Sequence, residues 1–205
     1  MPKFITIEGI EGVGKTTQMA FIANFLHQHN INVVSTREPG GTPLAEDIRQ
    51  MLLSPRDEKV AVDTELLLLF ASRAQHVAEI IRPAFARKKW VLCDRFLDAT
   101  FAYQGGGRNV PLARIQQLAD WTLDGLTPDL TLLLDAPVDI ALQRAADRKQ
   151  AKDRFEQERA EFFTVVRKGY LARAQAEPNR IKIIDTNKSL PEVQKDIAVI
   201  LEKLI

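Results

Sequence analysis

Short apolar runs alternate with longer amphipathic segments along the chain. Five runs rich in β-branched residues or leucine, each bounded by polar or turn residues, predict buried strands at 4–7, 31–34, 90–93, 130–134 and 181–184. Helical patterns lie at 16–29, 44–53, 64–86, 111–126, 140–146, 155–176 and 191–204. This alternation predicts an α/β fold with a five-stranded parallel sheet flanked by helices.

Irregular stretches and one proline interrupt this pattern. Pro83 lies inside the long helical pattern and should kink or end the helix near Arg82. The longest irregular stretches are 36–43, 104–109 and 148–153. Because binding residues concentrate on loops, we expect the functional site at these stretches.

Composition narrows the class of protein. The 205 residues, 45% of them hydrophobic, predict a single domain spanning residues 1–205. A net charge of +1 gives no global field for nucleic acid, so any anion site must be built locally. The single cysteine, Cys93, suits a reducing compartment, and no stretch approaches the ~20 apolar residues that cross a bilayer. These features predict a cytoplasmic protein that binds neither nucleic acid nor a membrane.

The first predicted strand is followed by a phosphate-binding signature. Residues 9–16 match G-x-x-x-x-G-K-[ST] and lead directly into an amphipathic helical pattern. The backbone N–H groups of such a loop surround an anion, Lys15 neutralises phosphate oxygens, and the Thr16 hydroxyl binds Mg²⁺. The predicted ATP-binding residues here are Gly9, Ile10, Glu11, Gly12, Val13, Gly14, Lys15, Thr16 and Thr17.

A phosphate loop alone does not identify the reaction. A GTPase is disfavoured because the only approach to a guanine-reading N-K-x-D motif, at residues 187–190, has Leu190 in place of the aspartate. An ATPase motor is disfavoured because the chain is too short for the additional domains of such machines. A phosphotransferase agrees better with the rest of the sequence.

Charged residues of an acceptor site follow the third predicted strand. Asp94 and Arg95 come directly after it, at the sheet edge where open α/β sheets bind ligands. Asp94 is a second candidate Mg²⁺ residue, and the planar Arg95 guanidinium suits a phosphate. Arg73 lies within a leucine-rich helical segment, where an unpaired charge is costly, and this favours a ligand contact.

Four motifs in order resemble the thymidylate kinases. They are the phosphate loop, the segment TREPGGT at 36–42, Asp94-Arg95 and the segment AYQGGGR at 102–108. The resemblance covers essentially the whole chain. It implies a P-loop nucleoside-monophosphate-kinase fold that uses ATP and Mg²⁺ to phosphorylate dTMP, for dTTP biosynthesis, and it implies a homodimer.

The resemblance also implies roles for individual residues. Arg37 and Arg95 would hold the phosphate side of dTMP, and Arg73 would contact the thymine edge. Tyr103 would crowd a 2′-hydroxyl and so make turnover of ribo-TMP much weaker. The remaining substrate-binding residues implied are Glu38 and Pro39 of the loop after the second strand, Thr100 and Gln104 at the base or sugar, and Glu11 near the acceptor sugar.

The lid and the base platform distinguish this chain within the family. Relatives with an arginine in the phosphate loop carry it where Gly12 stands here, so the arginine-rich segment at about 144–154 is expected to form a lid. Arg148 is its expected catalytic arginine, beside Lys15, Arg95 and Glu11, and Arg144 is expected to cover adenine.

At the base platform the family usually has phenylalanine four residues before the arginine. Here Leu69 holds that position and Phe70 follows it, so either residue can face thymine. As the only aromatic ring in the segment, Phe70 is predicted to matter more for the dTMP KM.

Two alternatives stay open on the sequence. One is a kinase for another nucleoside monophosphate or a deoxynucleoside, and the other is a regulatory nucleotide-binding protein. A phosphate acceptor needs no general base, which leaves the three histidines, His76 among them, as structural residues in this interpretation.

Overall fold

The sheet has the predicted architecture. The computed structural model describes residues 1–147 and 153–205, and its five strands are all parallel, in the order β2-β3-β1-β4-β5. The strands are β1 Phe4–Glu8, β2 Val33–Arg37, β3 Trp90–Asp94, β4 Leu130–Asp135 and β5 Ile181–Asp185. The prediction of an α/β fold with a five-stranded parallel sheet is confirmed.

Helices connect successive strands and cover the sheet. Their bounds are α1 Lys15–Gln28, α2 Pro43–Leu53, α3 Val62–His76, α4 Arg82–Ala86, α5 Leu97–Thr100, α6 Leu112–Leu123, α7 Val138–Ala146, α8 Ala160–Ala176 and α9 Leu190–Glu202. Within the described parts of the chain, no helix is long and apolar enough to cross a membrane.

The second strand starts later than predicted and extends further. The predicted strand 31–34 is wrong at its start because the Ile31 amide donates to Leu26 O at the end of α1. β2 instead pairs with β3 from Val33 opposite Trp90 to Arg37 opposite Asp94. This register brings Arg37 beside Asp94 at the carboxyl edge of the sheet.

Alternating strand residues divide the core into two layers. In β1, Ile5 and Ile7 pack in one hydrophobic cluster, and Phe4 packs in the other. The same alternation places Leu92 of β3 with Ile5, and Cys93 with Phe4. Both faces of the sheet are therefore buried, as the nearly continuous apolar runs predict.

The helix containing Pro83 continues past the proline. A π-helical turn, Val77–Ile81, joins α3 to α4, so of the two predicted outcomes, a kink or an end near Arg82, the end is wrong. Such a turn changes the hydrogen-bond ladder just ahead of the residue that lacks an N–H.

Two further boundaries differ from the sequence prediction. The glycine-rich segment predicted as an irregular stretch at 104–109 is largely the π-helical turn Phe101–Gly107, which continues α5 and packs against α8. The helix predicted from residue 155 begins only at Ala160, since Asp153 Oδ1 caps the amides of Phe155 and Glu156 in a turn.

Candidate active site

The phosphate loop joins β1 to α1 at the carboxyl edge of the sheet. Lys15 Nζ donates to the carbonyls of Gly9 and Ile10 at 3.1 and 2.9 Å, which folds the side chain back over the loop. Burial, together with repulsion from Arg95, lowers the pKa of Lys15 to about 8. An anionic ligand would reverse this pKa shift, so the loop is suited to binding phosphate.

The backbone at Gly12 explains the absence of a side chain there. Gly12 has a φ of +80°, and a Cβ built on it would overlap the carbonyl oxygen of Ala141 in α7. An arginine at this position would require α7 to move away. The loop therefore cannot carry the arginine that some relatives have at this position.

A charged network surrounds Arg95, which follows β3 with a φ of +67°. Its Nη1 donates to Gly9 O at 3.0 Å and to the Tyr170 hydroxyl at 3.1 Å. Its Nη2 donates to Glu11 Oε1 at 2.6 Å, and the Tyr103 hydroxyl donates to the other Glu11 oxygen at 2.7 Å. Three of the predicted site residues, Glu11, Arg95 and Tyr103, thus lie in one hydrogen-bonded cluster.

Glu8 is a member of this cluster that the sequence interpretation missed. Its carboxylate is fully buried and accepts from the Tyr170 hydroxyl at 2.8 Å and from the Phe96 amide at 2.7 Å. Burial, reinforced by the charge of Asp98, raises its pKa to about 8. The sequence signal was available, because Glu8 ends an otherwise apolar strand directly before the phosphate loop.

A cleft lies beside this network, with about 600 Å³ of empty space when the open solvent at its mouth is included. It is bounded by the loop after β2, by α2, α3 and α5, and by the turn before α8. Predicted substrate residues form most of its wall, and Glu38, Pro39, Leu69, Arg73, Arg95, Thr100, Tyr103 and Gln104 all contribute.

Arg73 is held rigidly at the wall of this cleft. Nε donates to Glu38 Oε2 at 2.7 Å, and Nη2 donates to Phe96 O at 3.1 Å and to Thr100 Oγ1 at 3.0 Å. Nη1 is buried and has no hydrogen-bond partner in the described parts of the chain. A buried N–H without a partner is costly, so Nη1 marks a position where a ligand acceptor atom fits.

Leu69 and Phe70 face different environments. Leu69 lines the cleft, whereas Phe70 is 2% exposed and packs in the hydrophobic layer with Phe96. The Phe70 ring lies 5.0 Å from the Arg73 guanidinium carbon, under that side chain rather than in the cleft. Leu69, and not Phe70, is therefore part of the cleft wall, and the contact of either residue with thymine stays a prediction.

Arginines also gather at the mouth of the site. Arg37 is exposed and pairs with Glu46 at 2.9 Å. Arg49, which the sequence interpretation missed, lines the cleft and donates to Pro39 O at 2.9 Å. Burial and repulsion from Arg37 lower the pKa of Arg49, so these cations favour an anion between them.

Thr16 and Asp94, the predicted Mg²⁺ residues, line a second, more open cleft. Asp94 Oδ1 is buried and has no hydrogen-bond partner in the described residues. Those residues contain no group of three metal-binding side chains. This donor set fits Mg²⁺, which in kinases is held by one or two protein oxygens together with water and substrate phosphates.

The remaining predicted residues are less closely grouped. Arg144 is exposed at the end of α7 and donates to Thr186 O at 3.0 Å, and Thr17 is exposed in α1. Gln104 is buried and donates to Glu65 Oε1 at 2.8 Å. Arg148, the expected lid arginine, lies outside the described residues.

The fold and this pair of adjoining clefts define the class of protein. Arg95 joins the phosphate loop to a cleft whose wall includes an arginine with an unpartnered N–H, and this arrangement suits phosphoryl transfer by a P-loop nucleoside-monophosphate kinase. The thymidylate kinase family model matches residues 7–197. The chain belongs to the thymidylate kinase family and is a phosphotransferase.

Individual relatives agree over nearly the full length. A thymidylate kinase of Pseudomonas putida strain GB-1 is 55% identical over 202 residues, which are 98% of this chain and 96% of that protein. One of Chromohalobacter salexigens is 56% identical over 197 residues, covering 96% of this chain and 93% of the relative. The crystal structure of thymidylate kinase from Ehrlichia chaffeensis superposes with a TM-score of 0.80 at 35% identity and covers 98% of both chains.

Proposed function

We propose that this enzyme transfers the γ-phosphate of ATP to dTMP, giving dTDP and ADP, as a step in the cellular supply of dTTP. The observation that carries the proposal is the acceptor cleft beside the phosphate loop, with Arg73 Nη1 buried and unpartnered at its wall. Thymine presents a carbonyl oxygen that can accept this N–H. Family membership supports the same acceptor.

The chemistry requires positioning and charge neutralisation more than acid–base catalysis. An oxygen of the dTMP phosphate attacks the γ-phosphorus, and the bond to the β,γ-bridging oxygen breaks to release ADP. Lys15 would neutralise the ATP phosphates. Arg95 would bind the acceptor phosphate, while Glu11 and the Gly9 carbonyl hold its guanidinium in place. Phosphate is already ionised at neutral pH, so no histidine is needed.

Mg²⁺ is the expected cofactor. Thr16 and Asp94 would hold it together with the nucleotide phosphates, and the bound ion would neutralise charge on the transferring group. The orphaned Asp94 Oδ1 supports this assignment, because a metal-bound water would satisfy it.

We further propose that the enzyme is a cytoplasmic homodimer. Leu67 of α3 and Leu112 and Trp121 of α6 are exposed on two helices that pack against each other. Exposed apolar patches commonly mark protein interfaces. Light scattering should give a dimer for the parent chain and a monomer for Leu67→Glu; a monomeric parent would contradict the proposal.

A product assay tests the reaction. ATP, Mg²⁺ and dTMP are incubated with the enzyme, and nucleotides are separated by ion-exchange chromatography. We expect stoichiometric dTDP and ADP, with loss of both when Mg²⁺ is chelated. ADP without dTDP would indicate ATP hydrolysis instead of transfer and would contradict the proposal.

A further inference from the structure

A chain of hydrogen bonds, buried except at Thr36, leads into the wall of the acceptor cleft. Thr36 Oγ1 lies 2.7 Å from His76 Nε2, and His76 Nδ1 lies 2.9 Å from Glu38 Oε1. The other oxygen of Glu38 accepts from Arg73 Nε at 2.7 Å. The chain therefore connects the end of β2 to the arginine whose Nη1 has no protein partner.

Glu38 depends on both of its neighbours. Its side chain is 3% exposed, so water is not at hand to replace a lost donor. Arg73 Nε donates a hydrogen bond to Oε2, and His76 Nδ1 forms the hydrogen bond to Oε1. Removing the His76 donor would leave a buried carboxylate oxygen unsatisfied and allow the carboxylate to rotate.

The neighbours of His76 determine its proton arrangement. Glu38 only accepts, so Nδ1 carries the proton, and in the neutral ring Nε2 accepts from the Thr36 hydroxyl. The ring also supports the loop after β2, since a Cβ on Gly41 would lie 2.7 Å from His76 Cδ2. His76 thus contacts both the loop and its carboxylate.

Arg73 has little freedom at the other end of the chain. Its guanidinium carbon lies over the rings of Phe70 and Phe96, at 5.0 and 5.3 Å from their centroids. The rotation of the guanidinium in its own plane is limited by the hydrogen bond from Nε to Glu38 and by the two hydrogen bonds from Nη2, to Phe96 O and Thr100 Oγ1. The position of the unpartnered Nη1 therefore depends on where Glu38 is held.

We infer that His76 is a positioning residue for acceptor selection: through Glu38 it fixes Arg73 Nη1, which favours a pyrimidine carbonyl over an amino group. This inference rests on the proposed function. It replaces the interpretation of His76 as a purely structural histidine. It predicts that altering one nitrogen of the ring changes acceptor choice without changing ATP use.

Three substitutions of His76 distinguish the hydrogen bonds of its two ring nitrogens from the packing of the ring. An asparagine amide nitrogen lies as many bonds from Cα as Nδ1, and a glutamine amide nitrogen lies as many as Nε2. His76→Asn therefore retains the donor to Glu38, His76→Gln retains a group near Thr36, and His76→Phe retains only the ring. Initial rates with dTMP and dCMP give kcat and both KM values, and thermal unfolding reports folding.

We expect His76→Asn to stay close to the parent chain. His76→Gln and His76→Phe should raise the dTMP KM about tenfold and lower the dTMP to dCMP preference by a similar factor, with the ATP KM unchanged. The inference is overturned if Asn is as impaired as Gln, or if all variants match the parent. Should the Phe variant not fold, the Asn and Gln pair decides alone. A parent enzyme that makes no dTDP would instead contradict the proposed function.

Discussion

Arg95 Nη2 and Glu11 Oε1 form a 2.6 Å ion pair that joins β3 to the phosphate loop. The pair is largely buried, and the Tyr103 hydroxyl occupies the second carboxylate oxygen. Donor and acceptor halves of the site are therefore connected through one carboxylate. A dTMP phosphate near Arg95 would lie next to the loop that holds ATP.

The Arg95→Lys enzyme should lose catalytic efficiency while keeping its charge. Lysine cannot make the planar set of contacts to Gly9, Tyr170 and Glu11 while also binding phosphate. We expect kcat/KM for dTMP to fall by about 100-fold. Arg82→Lys is the matched control, because Arg82 is half-exposed and pairs with Asp124 at the surface. This variant should leave kcat/KM for dTMP unchanged. Equal rates for the two variants would contradict this role.

Leu69 and Phe70 should respond differently to truncation. Leu69→Ala removes cleft wall and should raise the dTMP KM by several fold with little loss of stability. Phe70→Ala creates a core cavity and should lower the free energy of unfolding by about 3–5 kcal/mol. Steady-state kinetics and denaturant unfolding measure both effects. A stable Phe70→Ala with the larger rise in KM would restore the original sequence prediction.

Binding of ATP should draw a proton onto the enzyme in mildly alkaline solution. Burial and repulsion from Arg95 lower the pKa of Lys15 to about 8 in the ligand-free structure, and phosphate oxygens would raise it again. Titration calorimetry at about pH 9, in buffers of different ionisation enthalpy, measures this uptake. Lys15→Met should abolish the buffer dependence. Identical buffer dependence in both proteins would contradict the assignment.

The free energy of unfolding should fall as pH rises between the unfolded and folded pKa values of Glu8. Burial, reinforced by Asp98, raises its pKa from 4.5 to about 8, so the folded chain binds the extra proton between those values. The stabilising contribution is complete below pH 4.5 and is lost as pH approaches about 8. Urea unfolding across this range should show the decline, and Glu8→Gln should flatten it. An unchanged slope in Glu8→Gln would assign the decline to other groups.

Arg148 stays a prediction from the sequence alone. Because no side chain fits at Gly12, the transferring phosphoryl group needs a cation from elsewhere, and Arg148→Ala should lower kcat by at least ~10²-fold with nearly unchanged substrate affinities. Arg154→Ala and Lys149→Ala are the comparisons. Arg154 already pairs with Glu65 at 2.6 Å, so its loss should act on stability. Retained kcat in Arg148→Ala with a loss in either comparison would contradict the assignment.

Local sequence patterns predicted the elements that depend on local physics. The phosphate loop and four of the five strands follow from glycine spacing and continuous apolar runs. β2 was misplaced because the Ile31 amide bonds back to α1, which hydropathy does not report. The sequence predicts an irregular stretch for the glycine-rich segment after α5, because the helical form of this segment depends on packing against α8.

Site residues that belong to motifs of fixed spacing could be predicted from the sequence. Site residues whose position depends on tertiary packing could not. Leu69 and Phe70 are adjacent on one helix, so only the docked orientation of α3 separates cleft from core. Arg49 and His76 belong to the site through contacts with other segments of the chain. Their roles depend on burial and partners, which residue type alone does not define.

Competition between acceptors tests the central claim most directly. Enzyme, ATP and Mg²⁺ are mixed with equal concentrations of dTMP, ribo-TMP, dCMP, AMP and GMP, and the diphosphates formed are separated and quantified. The account predicts that dTDP forms first and dominates, with far less ribo-TDP because Tyr103 is expected to crowd a 2′-hydroxyl. Preferential formation of dCDP or GDP, or preferential consumption of AMP, with dTMP unconsumed, would contradict it. ADP itself is not a criterion, because every phosphate transfer from ATP releases it.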